Sequence, residues 1–168
     1  DVAARYGQEV HRSPVGEINV VQKMQEVGAM LGGEGNGGVI LPDLHYGRDA
    51  LIGTAMVLQH MAEEGKSLSV IRATLPSYTI SKNKTPIGNR NPDTVLDFMS
   101  DKYVNHDIDT SDGLKINFPD EWVHMRKSNT EPIIRIYAEA RSKSRAHDLA
   151  ERFMAELLEA STAVGAPR

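Results

Sequence analysis

No cysteine occurs among the 168 residues of this chain. That excludes disulfides, thiol chemistry and cysteine-bound zinc, and it fits a cytoplasmic protein. Positive charge is not in surplus either: 19 Lys and Arg stand against 23 Asp and Glu, a formal net charge of −4. A nucleic-acid partner would want a basic face, so none is expected. No apolar run reaches the length of a membrane-spanning helix and no signal peptide is seen, so no membrane partner is expected. The six histidines show no HExxH or other paired ligand spacing, and no GxSxG elbow occurs. Residues 107–113, Asp-Ile-Asp-Thr-Ser-Asp-Gly, are acidic enough to suggest a cation loop. An EF-hand needs its Gly one position earlier and a Glu where Phe118 stands, so this reads as an acidic hairpin and no metal site is expected in the chain. An initiator Met is also lacking. Residues 1–7 read like the tail of a helix closed by Gly7, and the sequence is expected to be a piece of something longer.

What is present divides into two regions. In the first, residues 8–11 and 29–31 are short strand candidates, and 19–26 is a helix stopped by Gly28. Residues 39–41 are a further strand stopped by Pro42. Residues 49–64 form a helix apolar around most of its girth (Leu51, Ile52, Ala55, Met56, Leu58, Met61), which predicts burial against a sheet. Strands alternating with helices imply an α/β layer. Residues 76–92 carry three prolines and little apolar periodicity, and read as a crossing segment. Then come a helix over 93–103, strands over 107–110, 114–118, 122–125 and 133–140, and an amphipathic helix over 145–160 with Leu149, Phe153 and Leu157 in line. Along the last strand Ile134, Ile136, Ala138 and Ala140 share one face, and Arg135, Tyr137 and Glu139 the other. The expected domains are 1–78, a truncated α/β unit; 79–90, a linker; and 91–168, a small α+β unit with helices on one face of an antiparallel sheet.

Two loops carry chemistry. Arg126-Lys127-Ser128-Asn129-Thr130-Glu131-Pro132 lies between two strands. Arg126 offers a planar fork of donors suited to phosphate. Ser128, Asn129 and Thr130 add side-chain donors and, on a tight turn, convergent backbone N–H groups. The same residues are ordinary turn formers, so the chemistry alone leaves an anion cradle and a plain turn both open. Arg135 emerges beyond the loop on the polar face; it either reinforces the anion site or pairs with Glu139.

The second loop, Gly33-Glu34-Gly35-Asn36-Gly37-Gly38, contains a GxGxxG. The dinucleotide fingerprint needs a helix straight after it, and here Val39-Ile40-Leu41-Pro42 follows. Glycines also let backbone approach a ligand closely, and Glu34 and Asn36 suit sugar hydroxyls. A solvent-facing tight turn is the competing reading. His45 soon follows and reads as a structural loop residue.

Arg126-x-Ser128-Asn129-Thr130-Glu131-Pro132 followed by Ile133-Ile134-Arg135 resembles the phosphate-binding loop of the α-D-phosphohexomutases, which include phosphoglucomutase, phosphomannomutase and phosphoglucosamine mutase. Residues 12–17, Arg-Ser-Pro-Val-Gly-Glu, resemble a loop of that family's third domain, 33–38 its sugar-recognition loop, and 112–115, Asp-Gly-Leu-Lys, the turn that opens the fourth domain's sheet. The resemblance spans nearly the whole chain, in order, and corresponds to the C-terminal half of such an enzyme, with the third domain lacking its opening strand. One departure stands out. The family usually shows Gly-Glu-x-Ser-Gly-His in the sugar loop, and this chain has Asn36 for the Ser and Gly38 for the His.

The resemblance implies an enzyme that moves a phosphoryl group between O1 and O6 of a hexose phosphate. It implies a donor phosphoserine and a magnesium loop in the missing N-terminal half, so Mg2+ is expected in the full-length enzyme and none on this part. It also implies sugar binding by Glu34 and Asn36, and phosphate binding by Arg126, Ser128, Asn129 and Thr130, reinforced by Arg135. No catalytic residue is expected within the chain, which alone is expected to be inactive. The alternative is a non-catalytic sugar-phosphate-binding module.

Overall fold

The computed structural model describes residues 1–128 and 130–164. The chain divides into two compact units, Asp1–Pro76 and Ser77–Arg168. Among the described residues no helix is long and apolar enough to cross a membrane.

The first unit runs α1 (Val2–Arg5), α2 (Glu17–Val27), β1 (Gly32–Gly33), β2 (Val39–Ile40), α3 (Ala50–Glu64) and α4 (Leu68–Thr74). Helix α2 stops where Gly28 takes a left-handed conformation, open to glycine without strain. Helix α3 starts where the Asp49 carboxylate accepts the N–H groups of Leu51 and Ile52, an N-cap that satisfies two otherwise orphaned donors. β1 and β2 pair antiparallel, Gly32 opposite Ile40 and Gly33 opposite Val39. Met24 lies so close over Gly32 that a Cβ there would clash with it.

Three expectations for this unit are corrected. Residues 8–11 form no strand, and the strand expected at 29–31 lies instead at Gly32–Gly33. No residue of α3 is buried, because a ribbon with two residues per strand is too small to cover its apolar girth. Leu51, for example, is 82% exposed. Helix α4 was not foreseen.

The second unit comprises β3 (Thr79–Pro86), α5 (Pro92–Lys102), β4 (Asp107–Asp109), β5 (Leu114–Asn117), β6 (Trp122–Lys127), β7 (Ile133–Ala140) and α6 (Lys143–Val164). Its sheet has the order β3-β7-β6-β5-β4, antiparallel throughout. Residues 79–90, read as a linker, instead contribute an edge strand, and β3 rather than the Asp112-Gly113 turn opens the sheet.

One face of that sheet is the core. Ile134, Ile136, Ala138 and Ala140 of β7 are buried along with Val123, Met125, Leu114 and Ile116. Helix α6 lays Leu149, Phe153 and Leu157 on this face, and α5 adds Val95 and Met99. The α+β arrangement with helices on one face is therefore as the sequence pattern predicts. The two helices are also clasped: Tyr103 donates to Glu156, which pairs with Lys102 and Arg152. Burial, then the Glu156 carboxylate, pushes the phenol up to about 12, so Tyr103 stays protonated as donor. Phe153 is fully buried at the centre. Phe153→Ala is expected to destabilise this unit by roughly 3–5 kcal/mol, read as the shift of its urea midpoint; a loss under about 1 kcal/mol would contradict this core.

Candidate functional site

The sheet face opposite the core gathers the phosphate candidates. Arg126 of β6 stands directly opposite Arg135 of β7, and Arg135 directly opposite Lys84 of β3. Residues paired this way share a face. Three cations thus line up across three adjacent strands at the end of the sheet. Like charges directly opposite each other are destabilising, so such a row is costly unless an anion lies over it. Glu131, on the loop, is a weak internal counter-ion, 3.9 Å from Lys84 Nζ and 3.8 Å from Arg135 Nη2.

Arg126 is the least satisfied member. Its Nε is buried and has no hydrogen-bond partner among the described residues. An unpaired buried donor is rare and asks for a reason. The Asp112-Gly113 turn packs onto the Arg126 stem: a Cβ on Gly113 would lie 2.9 Å from Arg126 Cβ. This turn, noticed in the sequence as a separate feature, therefore helps seat the arginine.

The connection between β6 and β7 is a short hairpin loop. Ser128 N–H donates to Ile133 O at 3.1 Å, and Ile133 N–H to Glu131 O at 2.8 Å. Ser128 Oγ lies 3.4 Å from both Thr130 Oγ1 and the Thr130 N–H. At that length these contacts are weak, and the groups are available to an incoming acceptor. Asn129, also a candidate, lies outside the described residues. Lys127 is different: it faces the other way, and Nζ lies 2.8 Å from both carboxylate oxygens of Asp93. Arg135 does not pair with Glu139, which instead accepts from Trp122 Nε1 at 2.8 Å.

Glu34 and Asn36 come together on the turn joining β1 and β2. Glu34 N–H donates to Gly38 O and Gly37 N–H to Glu34 O, both at 3.0 Å. Gly37 sits at φ +94, closed to most side chains. Asn36 Oδ1 accepts the Gly38 N–H at 3.1 Å. That leaves its amide N–H groups, and a second lone pair on its oxygen, for a ligand. His45 pairs with the cap residue, Nε2 lying 3.2 Å from Asp49 Oδ2.

Two residues near these sites escaped the sequence reading. Lys84 lay in the presumed linker, and only the strand register reveals it. Arg48 lies beside Glu34, Nη1 at 3.3 Å from Oε2. Among the described residues no three carboxylate or imidazole groups converge to hold a metal ion.

Comparison with known proteins agrees with the two-unit division. Residues 1–78 match the family profile for phosphoglucomutase/phosphomannomutase, alpha/beta/alpha domain III. Residues 83–156 match that for the phosphoglucomutase/phosphomannomutase C-terminal domain. A phosphoglucomutase/phosphomannomutase from Thermococcus kodakarensis is 40% identical over 152 residues, covering 90% of this chain and 33% of that protein. A phosphoglucosamine mutase from Methanococcus maripaludis is 31% identical, covering 89% and 33%. A solved structure of a phosphoglucomutase/phosphomannomutase family protein from Burkholderia thailandensis superposes with a TM-score of 0.77 at 26% identity, over 100% of this chain and 37% of that one. The chain thus spans about a third of the length of these relatives.

Proposed function

The chain belongs to the phosphoglucomutase/phosphomannomutase family, and on that premise we propose that it is the substrate-gripping part of a phosphohexomutase, which interconverts hexose 1-phosphate and hexose 6-phosphate. The observation that carries this reading is the cation row Lys84–Arg135–Arg126, with the Arg126 Nε unpaired among the described residues. Arg126 presents its fork to the non-reacting phosphate, with Arg135 and Lys84 neutralising charge and Ser128, Asn129 and Thr130 donating from the loop. Glu34 accepts from sugar hydroxyls and Asn36 donates to the sugar through its amide.

Phosphoryl transfer depends mostly on positioning and charge stabilisation. Moving a phosphoryl group between O1 and O6 requires the sugar to turn over between half-reactions. A phosphate grip that leaves the sugar free to turn suits that: the phosphate end is held by a row that does not distinguish which carbon bears it. The nucleophile that carries the phosphoryl group, and the magnesium that supports its transfer, are assigned to residues outside this chain. The protein is proposed to act in the cytoplasm.

This chain alone is expected to show no conversion of glucose 1-phosphate to glucose 6-phosphate, whereas the full-length protein does. Turnover by the purified chain above a blank, lost in Arg126→Ala, would overturn the division of labour. A full-length protein that binds hexose phosphates but never converts them would leave a sugar-phosphate-binding module.

A further inference from the structure

Arg48 is delivered to the glycine hairpin by a return of the chain. After β2, the His45 N–H donates to Leu41 O at 3.1 Å, and the Asp49 N–H donates to Val39 O at 2.9 Å. Arg48 therefore runs back alongside Gly38. A Cβ on Gly38 would lie 2.6 Å from Arg48 Cδ and 3.2 Å from Cγ. Gly38 does not have a positive φ, so the backbone does not demand glycine there; the space taken by the arginine stem does.

The far end of Arg48 is held between two carboxylates. Its Nε donates to Glu17 Oε2 at 2.8 Å, and its backbone N–H donates to Glu17 Oε1 at 2.9 Å. Its Nη1 stands 3.3 Å from Glu34 Oε2. The Arg48 N–H, then the side chain, hold the Glu17 carboxyl below the usual carboxylate range, so the brace stays charged. The Glu34 side chain is only 16% exposed, and a carboxylate so enclosed keeps one orientation only if something holds it.

We infer that Arg48, braced by Glu17 and admitted by the missing side chain at Gly38, is a positioning residue for Glu34: it holds Oε2 and leaves Oε1 to accept from a hexose hydroxyl. The inference rests on the reading of this hairpin as the sugar site. A guanidinium suits the task because its fork serves two carboxylates from fixed directions, which a lysine cannot do.

The test is a double-mutant cycle in the full-length protein, with glucose 1-phosphate affinity measured by calorimetry. Arg48→Ala is expected to weaken binding about tenfold, as loss of a charge-assisted contact does. In a Glu34→Ala background the same change is expected to cost less than about twofold, because its target is gone. Arg48→Lys should restore only part of the affinity, and Gly38→Ala should reproduce much of the loss by displacing the stem. Equal losses in both backgrounds would overturn the inference while leaving Glu34 as a sugar ligand. Wild-type affinity in Glu34→Ala itself would overturn the sugar reading, and this inference with it. Arg126→Ala run in parallel then reports whether the phosphate end still stands.

Discussion

Arg126→Met is expected to weaken hexose phosphate binding about a hundredfold while leaving the unliganded protein at least as stable as the wild type. The two halves of this expectation come from one observation, the buried Arg126 Nε without a partner among the described residues. An unsatisfied buried donor costs roughly 1–3 kcal/mol, and facing Arg135 in register adds like-charge repulsion. Methionine keeps the aliphatic packing of the stem against the Gly113 turn and removes both penalties. A rise of a few degrees in the Tm of the second unit follows, since about 1 kcal/mol moves a domain of this size by about 4–8 °C. The phosphate, by contrast, loses a paired charge-assisted contact, which corresponds to about a hundredfold in affinity. Thermal denaturation and calorimetry on the same variant measure both. A variant that loses stability by more than about 1 kcal/mol would make Arg126 a structural residue rather than a ligand held in waiting.

The second unit is expected to fold alone, and the first is not. Residues 77–168, expressed separately, should unfold cooperatively in urea. Residues 1–76 should show no cooperative transition. The reason lies in what each buries. The second unit has one continuous core from Ile87 to Ala160. Among the described residues the first buries only Met24, Ile40 and Ile71 of its hydrophobic side chains. Three such side chains contribute about 5–9 kcal/mol, against a conformational entropy cost of about 1–2 kcal/mol for each ordered residue. Leu51, Val57 and Leu58 of α3 and Met30 and Leu31 before β1 all stay exposed. Circular dichroism through a urea series decides the matter; a sharp transition in 1–76 would contradict the burial argument.

What the sequence revealed and what it hid follow from the same physics. β7 was legible to its last residue because Ile134, Ile136, Ala138 and Ala140 alternate strictly with polar neighbours. α6 was legible because Leu149, Phe153 and Leu157 recur at helical spacing. β3 was not, because its inward positions include Ser81, Asn83 and Thr85 rather than apolar residues, and Pro86 ends it. A proline at the end of an edge strand is ordinary, yet in the sequence it reads as a break. The phosphate loop was legible as residue types, but Lys84 reached the same row only through pairing with β7. Arg48 was hidden for a similar reason: its proximity to Glu34 depends on the turn after β2, not on spacing. The apolar girth of α3 was read correctly as apolar and wrongly as buried, since periodicity reports what a helix offers to a partner and not whether the partner is there.

The most direct measurement is a calorimetric titration of the full-length protein with glucose 1-phosphate at low salt, on the wild type and on single alanine variants at Arg126, Arg135, Lys84 and Lys127. The last is the control: it adjoins Arg126 in sequence and carries the same charge, but it is committed to Asp93. Its exposed ion pair is worth at most about 1 kcal/mol to stability. Saturable binding is expected that falls most with Arg126→Ala, less with Arg135→Ala and Lys84→Ala, and hardly at all with Lys127→Ala. Equal losses at Lys127 and Arg126 would reduce the site to diffuse charge attraction and contradict a phosphate seat built by the sheet register.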